Sequence, residues 1–350
     1  MKRVVVTGGA GFVGAHLSLA IKAAYPDAEV IAFDNLYRRG SERNLPRLAA
    51  GGVGFHQGDV RQRDDVLAVG AFDWLIECST EPSVLGGSTG STAYLTDTNL
   101  GGAINCAEAC VRNGAGMLFL STSRVYAVEP LCCASFEVTD TRYELKDDQR
   151  IPGLSAAGVS EAFPTEGEKS LYGATKLAAE VMLAEFSHAF KIPILMNRCA
   201  VLAGPWQFGR VDQGVVPFWV ESHLVGRPLS YIGFGGSGKQ VRDVLHIEDL
   251  VELVLLQLGS PDKFVNRIFN VGGGHGNSVS LRELTALCQE VTGKTIPITP
   301  EQETRYADLP IFIADCNAIN EFCGWRPKRS VATVVDDIAR WLHDQQAGGS

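Results

Sequence analysis

Val4-Val5-Val6-Thr7-Gly8-Gly9-Ala10-Gly11-Phe12-Val13-Gly14 is the stretch on which the fold turns. Three successive valines with no polar alternation read as a strand buried on both faces, as in a parallel sheet covered by helices. The strand stops at glycines. Val13, Leu17, Ile21 and Ala24 then recur three or four apart, the stripe of a helix. Strand, glycine turn and helix in that order are the context in which a dinucleotide-binding fingerprint becomes credible. Gly8 permits the tight turn, Gly11 lets the backbone approach a pyrophosphate, and Gly14 lets the helix pack closely. Free amides, with those of Phe12 and Val13 among them, and the positive end of the helix dipole then face the phosphates.

The spacing is Gly-x-x-Gly-x-x-Gly, a variant of the commoner Gly-x-Gly-x-x-Gly, and a glycine turn alone is weak evidence. The next strand supplies support. Glu29 to Phe33 ends at Asp34, about twenty residues past Gly14, where a ribose-binding acid is expected. A carboxylate there accepts from ribose hydroxyls and repels a 2′-phosphate, which favours NAD over NADP. Arg38 and Arg39 stand close by and pull the other way, since arginine pairs with that phosphate. Val53 to Gln57 reads as a third strand, followed by Asp59, which could reach an adenine amine, and Val60.

The 350 residues suit one large or two intimately joined domains with a sizeable core. A net charge of −9 without any basic run argues against a general nucleic-acid binder, so an anionic substrate must be held by a few local Arg or Lys residues. Nine cysteines lie scattered without metal spacing and read as reduced thiols in a reducing compartment. The chain enters a core strand at once and no apolar run reaches membrane length, so a cytoplasmic protein with no membrane partner is expected.

Asp73 to Cys78 reads as a fourth strand. A Gly/Ser/Thr-rich loop, Gly86 to Thr92, then leads into a helix through Asn99, Gly101, Gly102 and Ala103. Met117 to Ser121 reads as a fifth strand and Pro193 to Ala203 as a sixth. The alternation predicts an α/β fold, a Rossmann-type doubly wound parallel sheet, with a smaller C-terminal α/β substrate lobe. The expected division is 1–204 for the NAD-binding domain, which also receives segments around 241–259, and 205–345 for the substrate lobe. Ser280-Leu281-Arg282-Glu283 is a capping-box pattern, Ser330 to Trp341 a closing helix, and Gln345 to Ser350 a frayed end.

The chemistry centres on Ser170-Leu171-Tyr172-Gly173-Ala174-Thr175-Lys176. On a helix, Tyr172 and Lys176 share one face. A free phenol, with pKa about 10, is a poor base at neutral pH. A neighbouring ammonium and a positive nicotinamide ring both favour its phenolate. Tyr-x-x-x-Lys is common by chance, and on its own a surface helix pair is the better reading. A dinucleotide fingerprint and Ser121-Thr122 at a strand end turn the reading to catalysis, with Thr122 holding the hydroxyl that Tyr172 deprotonates.

On these motifs the chain, from Val4 to about Trp341, resembles the extended short-chain dehydrogenase/reductases, the family of nucleotide-sugar epimerases and dehydratases. Asp34-Asn35-Leu36-Tyr37-Arg38-Arg39-Gly40, Asp212-Gln213-Gly214 and the run Gly238 to His246 resemble its branch acting at C2 of CDP-linked deoxyhexoses. The resemblance implies tightly bound, recycled NAD and a CDP-linked deoxyhexose or other nucleotide sugar. It also implies a homodimer or homotetramer and no metal. By position it carries cofactor contacts to Asn35, Arg38, Val60, Cys78, Ser79, Thr80, Asn99, Ser121, Tyr172, Lys176 and Val201. Substrate contacts fall at Thr122, Ser123, Arg124, Gln207, Gln213, Gln240, Arg242 and Arg305. The two arginines suit a diphosphate, although either could be a surface ion pair.

Dehydratases of this family place an Asp-Glu pair after the catalytic threonine. Here Ser123 and Arg124 stand there, so elimination lacks its acid and base. Glu77-Cys78-Ser79-Thr80 replaces the His-Leu-Ala-Ala of many relatives, a polar rewrite followed by Glu81-Pro82-Ser83. The long segment between Tyr126 and Tyr172 reads equally as a lid or a tolerated insertion. Gly233 to Lys239 spells most of a P-loop, but Gln240 takes the magnesium-binding position and Val241 to Leu245 reads as a strand. A glycine-rich hairpin is the better expectation. His246 reads as structural. A C4 epimerase or reductase of a UDP- or GDP-sugar, and a non-catalytic NAD-binding regulator, stay open as alternatives.

Overall fold

A computed structural model describes residues 1–87, 91–209 and 213–347 of the chain. Residues 88–90 of the Gly86–Thr92 loop, Asp212 of the Asp212-Gln213-Gly214 stretch, and 348–350 of the expected frayed end lie outside the described residues. The chain divides into two compact units. The first comprises residues 1–125, 171–198 and 250–268, and the second 126–170, 199–249 and 269–350.

Unit 1 is built on strands β1 (Arg3–Thr7), β2 (Glu29–Asp34), β3 (Gly54–Gln57), β4 (Trp74–Glu77) and β5 (Gly116–Thr122). The full seven-stranded order is Ile268–Val271, Ile194–Cys199, β5, β4, β1, β2, β3. The pairings β1–β2, β1–β4, β2–β3 and β4–β5 are parallel. Val4, Val5 and Val6 are at most 1% exposed, as an apolar run in a doubly covered sheet requires. Helix α1 (Phe12–Ala24) follows the glycine turn and buries Leu17 and Ile21. One face of the sheet packs Phe33, Leu75, Met117 and Phe119 against Ala107 and Cys110 of the Gly102–Asn113 helix and Leu183 of the Leu171–Phe190 helix. Burying each large apolar side chain contributes about 1.5–3 kcal/mol.

The expected sixth strand is two strands. Ile194–Cys199 lies in the large sheet, whereas Val201–Ala203 pairs in parallel with Val241–His246 in a separate sheet. The run Cys199-Ala200-Val201-Leu202-Ala203 is apolar throughout, so it carries no sign that the chain changes sheets at Ala200.

In unit 2 the Val241–His246 strand also pairs with Ser278–Ser280 and Ile311–Phe312. Trp219, Val220, Leu284, Val334 and Ile338 form its core, from the helices Val215–Val225, Leu281–Thr292 and Val331–Ala347. The capping box at Ser280 and Glu283 is formed. The last helix continues to Ala347, so the chain from Gln345 to Ala347 is helical rather than frayed. Two short hairpins, Phe136–Val138 with Tyr143–Leu145 and Leu154–Ser155 with Gly158–Val159, occupy the 126–170 segment. Lys239 donates to Thr139 O (2.6 Å) and Arg142 to Ser278 Oγ (2.5 Å), so the first hairpin is fastened within unit 2.

The glycine-rich run at 233–239 is not a hairpin. Leu229–Ile232 before it pairs in parallel with Ile298–Glu301, and Val241–His246 after it belongs to another sheet. Gly238 sits against the Tyr231 ring, where a Cβ would lie 2.8 Å from ring carbons. With Lys239 bound to Thr139 and a strand following, no phosphate cradle forms. Among the described residues, no helix is long and apolar enough to cross a membrane, and no cluster of metal-ligating side chains occurs.

Candidate active site

From β1 the chain order runs outward in opposite directions, β2 and β3 to one side, β4 and β5 to the other. The carboxyl ends of β1 and β4 therefore form the topological switch point at which open α/β sheets bind ligands. At the end of β1, Gly8 adopts φ +61°, and a Cβ on it would lie 2.7 Å from Cys78 O. Gly11 N–H donates to Gly8 O (2.9 Å) and closes the turn. A Cβ on Gly14 would lie 2.1 Å from the same oxygen, which fixes how closely α1 packs on the turn. Gly9, given no role in the sequence reading, sits against β2, where a Cβ would come within 2.6 Å of Ala32 Cα.

Helix α1 has no side-chain cap at Gly11 and no acidic residue in its first turn, so its own first turn supplies no carboxylate to the amides of Phe12 and Val13. Asp34 ends β2 and accepts from Ala10 N–H (3.1 Å) and Leu36 N–H (2.8 Å). Burial raises its carboxyl, against the opposing pull of the Leu36, Ala10 and Gly11 amides. Leu36 adopts a strained φ of +55° to reach that bond. A backbone cradle that excludes side chains, an uncapped helix start and a carboxylate at the second strand end together fit a dinucleotide.

Asp59, expected at the adenine, has its oxygens engaged by Arg61 (2.6 Å) and Asn35 (3.0 Å). Burial works to raise its carboxyl, but the Arg61 and Asn35 hydrogen bonds outweigh it and hold it at about 2. Arg61 covers the Tyr94 ring at 4.7 Å, and the Tyr37 ring lies tilted at 33° against Tyr94, 4.5 Å between centres. Arg38 is half-buried in the turn after β2. Val60 packs under Gly102, where a Cβ would lie 2.7 Å from Val60 Cγ2.

Beyond β4, Cys78, Ser79 and Thr80 are half-buried. Asn99, inside a π-helical turn at Asp97–Gly101, ties this loop to the Leu171–Phe190 helix. Its Oδ1 accepts from Thr80 Oγ1 (3.1 Å) and Glu81 N–H (2.8 Å), and its Nδ2 donates to Thr175 Oγ1 (3.2 Å). Such π-turns occur often at functional sites. The Asn99 side chain is thus an organiser of the site, its bonds made to protein.

Thr122 ends β5, and its Oγ1 accepts from Arg124 N–H (3.2 Å) across the 3-10 turn Ser123–Val125. The Leu171–Phe190 helix packs against both β5 and this turn. Gly173 makes that approach possible, since a Cβ there would lie 2.1 Å from Arg124 O. Tyr172 and Lys176 occupy buried positions of that helix, and Thr122 stands at the end of the strand on which it packs. Ser121 Oγ donates to Glu180 Oε1 (2.5 Å), and Arg198 binds the same carboxylate in bidentate fashion (2.7 and 3.0 Å). This buried triad anchors helix to sheet, and sequence reading named only Ser121.

Glu77 was also missed as a participant. The last residue of β4 and 1% exposed, it stands 3.6 Å from Lys176 Nζ, which lies 3.9 Å from the centre of the Phe119 ring. The signal was present: a carboxylate closing the apolar run Trp74-Leu75-Ile76.

Among the substrate candidates in unit 2, Arg242 is bound to Asp308 (2.6 Å) and to Val241 O (2.7 Å). Asp308 N–H in turn donates to Arg305 O (3.2 Å), which brings Arg305 next to that pair. Gln207 and Gln240 donate to Leu202 O (3.1 Å) and Ile232 O (3.0 Å), leaving each Oε1 buried without a hydrogen bond. Gln213 forms an isolated bridge just before the Val215–Val225 helix, and Val201 opens its strand opposite Val244. His246 Nδ1 accepts from Glu248 N–H (3.0 Å), capping the Ile247–Gly259 helix.

Residues 4–272 match the NAD dependent epimerase/dehydratase family. The chain is 29% identical to CDP-paratose 2-epimerase of Salmonella typhi, across 97% of this chain and 98% of that one. It is 26% identical to UDP-glucose 4-epimerase of Corynebacterium glutamicum, across 96% and 94%. Among solved structures, UDP-glucose 4-epimerase of Thermus thermophilus in complex with NAD superposes with TM-score 0.79 at 26% identity, covering 98% of this chain and 99% of that one. DesIV, a dTDP-glucose 4,6-dehydratase of Streptomyces venezuelae, has the same fold, with TM-score 0.80 at 24% identity over 99% and 98%. With the family matched over most of its length and the dinucleotide turn in place, the chain belongs to the NAD dependent epimerase/dehydratase family and is an NAD-dependent enzyme.

Proposed function

We propose that the protein interconverts CDP-paratose and CDP-tyvelose, inverting C2 of the CDP-linked sugar through a transient 2-keto intermediate. The observation that carries this reading is Thr122 at the end of β5, packed on by the helix that bears Tyr172 and Lys176, with Ser123 and Arg124 after Thr122 in place of an acid pair. That set serves oxidation and reduction, and it lacks the groups that elimination of water needs. Likeness to CDP-paratose 2-epimerase along nearly the whole chain supports the choice of substrate.

A hydrogen on C2 of a glycosyl nucleotide is not acidic, so direct deprotonation has no driving force. Bound NAD supplies a hydride acceptor and, once reduced, a hydride donor. The residues around it do the rest. Thr122 Oγ1 holds the C2 hydroxyl, and the Tyr172 phenolate takes its proton as the carbon is oxidised. Lys176 favours that phenolate. On the return, Tyr172 gives the proton back to the C2 oxygen after the sugar has presented its other face. The glycine turn and the uncapped start of α1 would hold the pyrophosphate, and Asp34 would accept from the adenosine ribose. Arg242 and Arg305 are the cations we assign to the nucleotide diphosphate.

Nuclear magnetic resonance of the purified protein with CDP-paratose tests the assignment. The anomeric and H2 signals of CDP-tyvelose are expected without added cofactor. UDP-glucose under the same conditions is expected to stay unchanged. Conversion of UDP-glucose to its C4 epimer, with CDP-paratose inert, would replace this reading by a C4 epimerase.

A further inference from the structure

Lys176 is a cation almost without water, its side chain 2% exposed. A buried ammonium is costly unless a counter-charge stands beside it. The counter-charge is Glu77. Its backbone pairs with Thr7 on β1 and Phe119 on β5, so the carboxylate rises from the middle of the sheet at the switch point. Lys176 descends from the Leu171–Phe190 helix onto the Phe119 ring, 3.9 Å from its centre, and meets Glu77 Oε2 at 3.6 Å. That oxygen is buried and makes no hydrogen bond, so among the described residues the ammonium is its one partner of opposite charge.

We propose that Glu77 is a positioning residue: its carboxylate seats the Lys176 ammonium on the Phe119 ring and sets how much of that positive field reaches the Tyr172 phenol. The inference rests on the reading of Tyr172 as the base. The logic is electrostatic. An ammonium alone favours phenolate in a neighbouring tyrosine. A carboxylate 3.6 Å from the same ammonium offsets part of that field, so the phenol holds its proton to higher pH than Lys176 alone would allow. A two-way epimerase uses Tyr172 as base and then as acid, and works best when neither form is too strongly favoured.

Other groups around the pair do not blur this. Cys106, on the Gly102–Asn113 helix, is pushed well up by burial and by Glu77, so its thiol stays neutral. Glu180, one turn beyond Lys176, is compensated by Arg198. Thr7 and Phe119, from β1 and β5, carry no charge. Burial pushes the Glu77 carboxyl itself up, while Lys176 and the Ser79 amide pull it back.

The test is an ultraviolet titration of the NAD-loaded protein, in which subtracting the Tyr172→Phe spectrum isolates the Tyr172 phenolate band. The same subtraction is made in Glu77→Gln and Glu77→Asp backgrounds. Glu77→Gln, isosteric and uncharged, is expected to lower the Tyr172 midpoint by about one pH unit, a tenfold shift. Glu77→Asp keeps the charge and draws it back by one methylene. It is expected to hold the midpoint within a few tenths and to lower kcat, because Lys176 is displaced. An unmoved midpoint in Glu77→Gln overturns the proposal. So does an equal shift in both variants, which would make the effect one of packing. Should Glu77→Gln fail to retain NAD, Glu77→Met takes its place, with the same downward shift expected and an unmoved midpoint again overturning the proposal. Undiminished activity in Tyr172→Phe would instead remove the base assignment on which the inference stands.

Discussion

A phenol and an ammonium four residues apart do little until something fixes them, and here Gly173 lets their helix close on Arg124 while Glu77 stands 3.6 Å from Lys176. General acid–base groups contribute about 10²–10⁴-fold to rate. Tyr172→Phe is therefore expected to lower kcat within that range while the purified protein keeps its full NAD content; a kcat within a factor of three of wild type would clear Tyr172 of the role. The Glu180–Arg198 pair makes a different prediction, because it supports without reacting. Removing one partner of a buried ion pair costs about 3–5 kcal/mol, whereas replacing both by apolar groups costs far less. Arg198→Met should lower the urea unfolding free energy by that amount, and Glu180→Met added to it should restore much of the loss. At this scale the sequence was partly legible. Thr122, Tyr172, Lys176 and Asp34 stood at strand ends or helical spacing, where chemistry can be read. Glu77, Glu180 and Arg198 could not be paired from sequence, because their partners lie 99 and 18 residues away and only the fold brings them together.

Between elements, the close contacts are made through glycine. Gly173→Ala would set a Cβ where Arg124 O lies 2.1 Å away, so the Leu171–Phe190 helix must shift off the end of β5. The expected outcome is a fall in kcat of at least tenfold, with NAD still bound, since the dinucleotide turn is untouched. Gly14→Ala, with its Cβ 2.1 Å from Gly8 O, should do the reverse: it opens the turn and lets NAD wash out on dialysis, read as the cofactor-to-protein ratio. Strands β1 to β5, α1 and the capping box at Ser280 were legible because each is a local pattern of burial, turn or cap. The split at Ala200 and the fate of Gly233 to Lys239 were not. In both, local propensity says strand or turn, and the choice of sheet depends on partners far along the chain. The 126–170 segment likewise offered no periodicity, and its fastening through Arg142 and Lys239 rests on contacts about a hundred residues or more apart in sequence.

Across the molecule, doubly wound topology and an acidic charge of −9 were plain from the chain, and stability adds a test that sequence did not suggest. Asp243 in unit 2 is fully buried, accepts from Gly274 N–H (3.3 Å), and its carboxyl is pushed up to about 7 by that burial. Because its folded value lies above the unfolded one, near about 4, the contribution is complete at low pH and is lost as pH rises through about 7. Wild type should therefore lose stability relative to Asp243→Asn between those limits, seen as a difference in urea midpoints that grows with pH and then levels off. A difference independent of pH would show that Asp243 keeps an ordinary carboxyl.

In the proposed reaction, C2 is inverted by removal and return of the same hydride. CDP-paratose carrying deuterium at C2, converted in ordinary water, tests it most directly. Deuterium is expected to stay at C2 of the CDP-tyvelose formed, with none released to solvent. Product carrying solvent hydrogen at C2 would contradict hydride transfer and require an exchangeable proton instead.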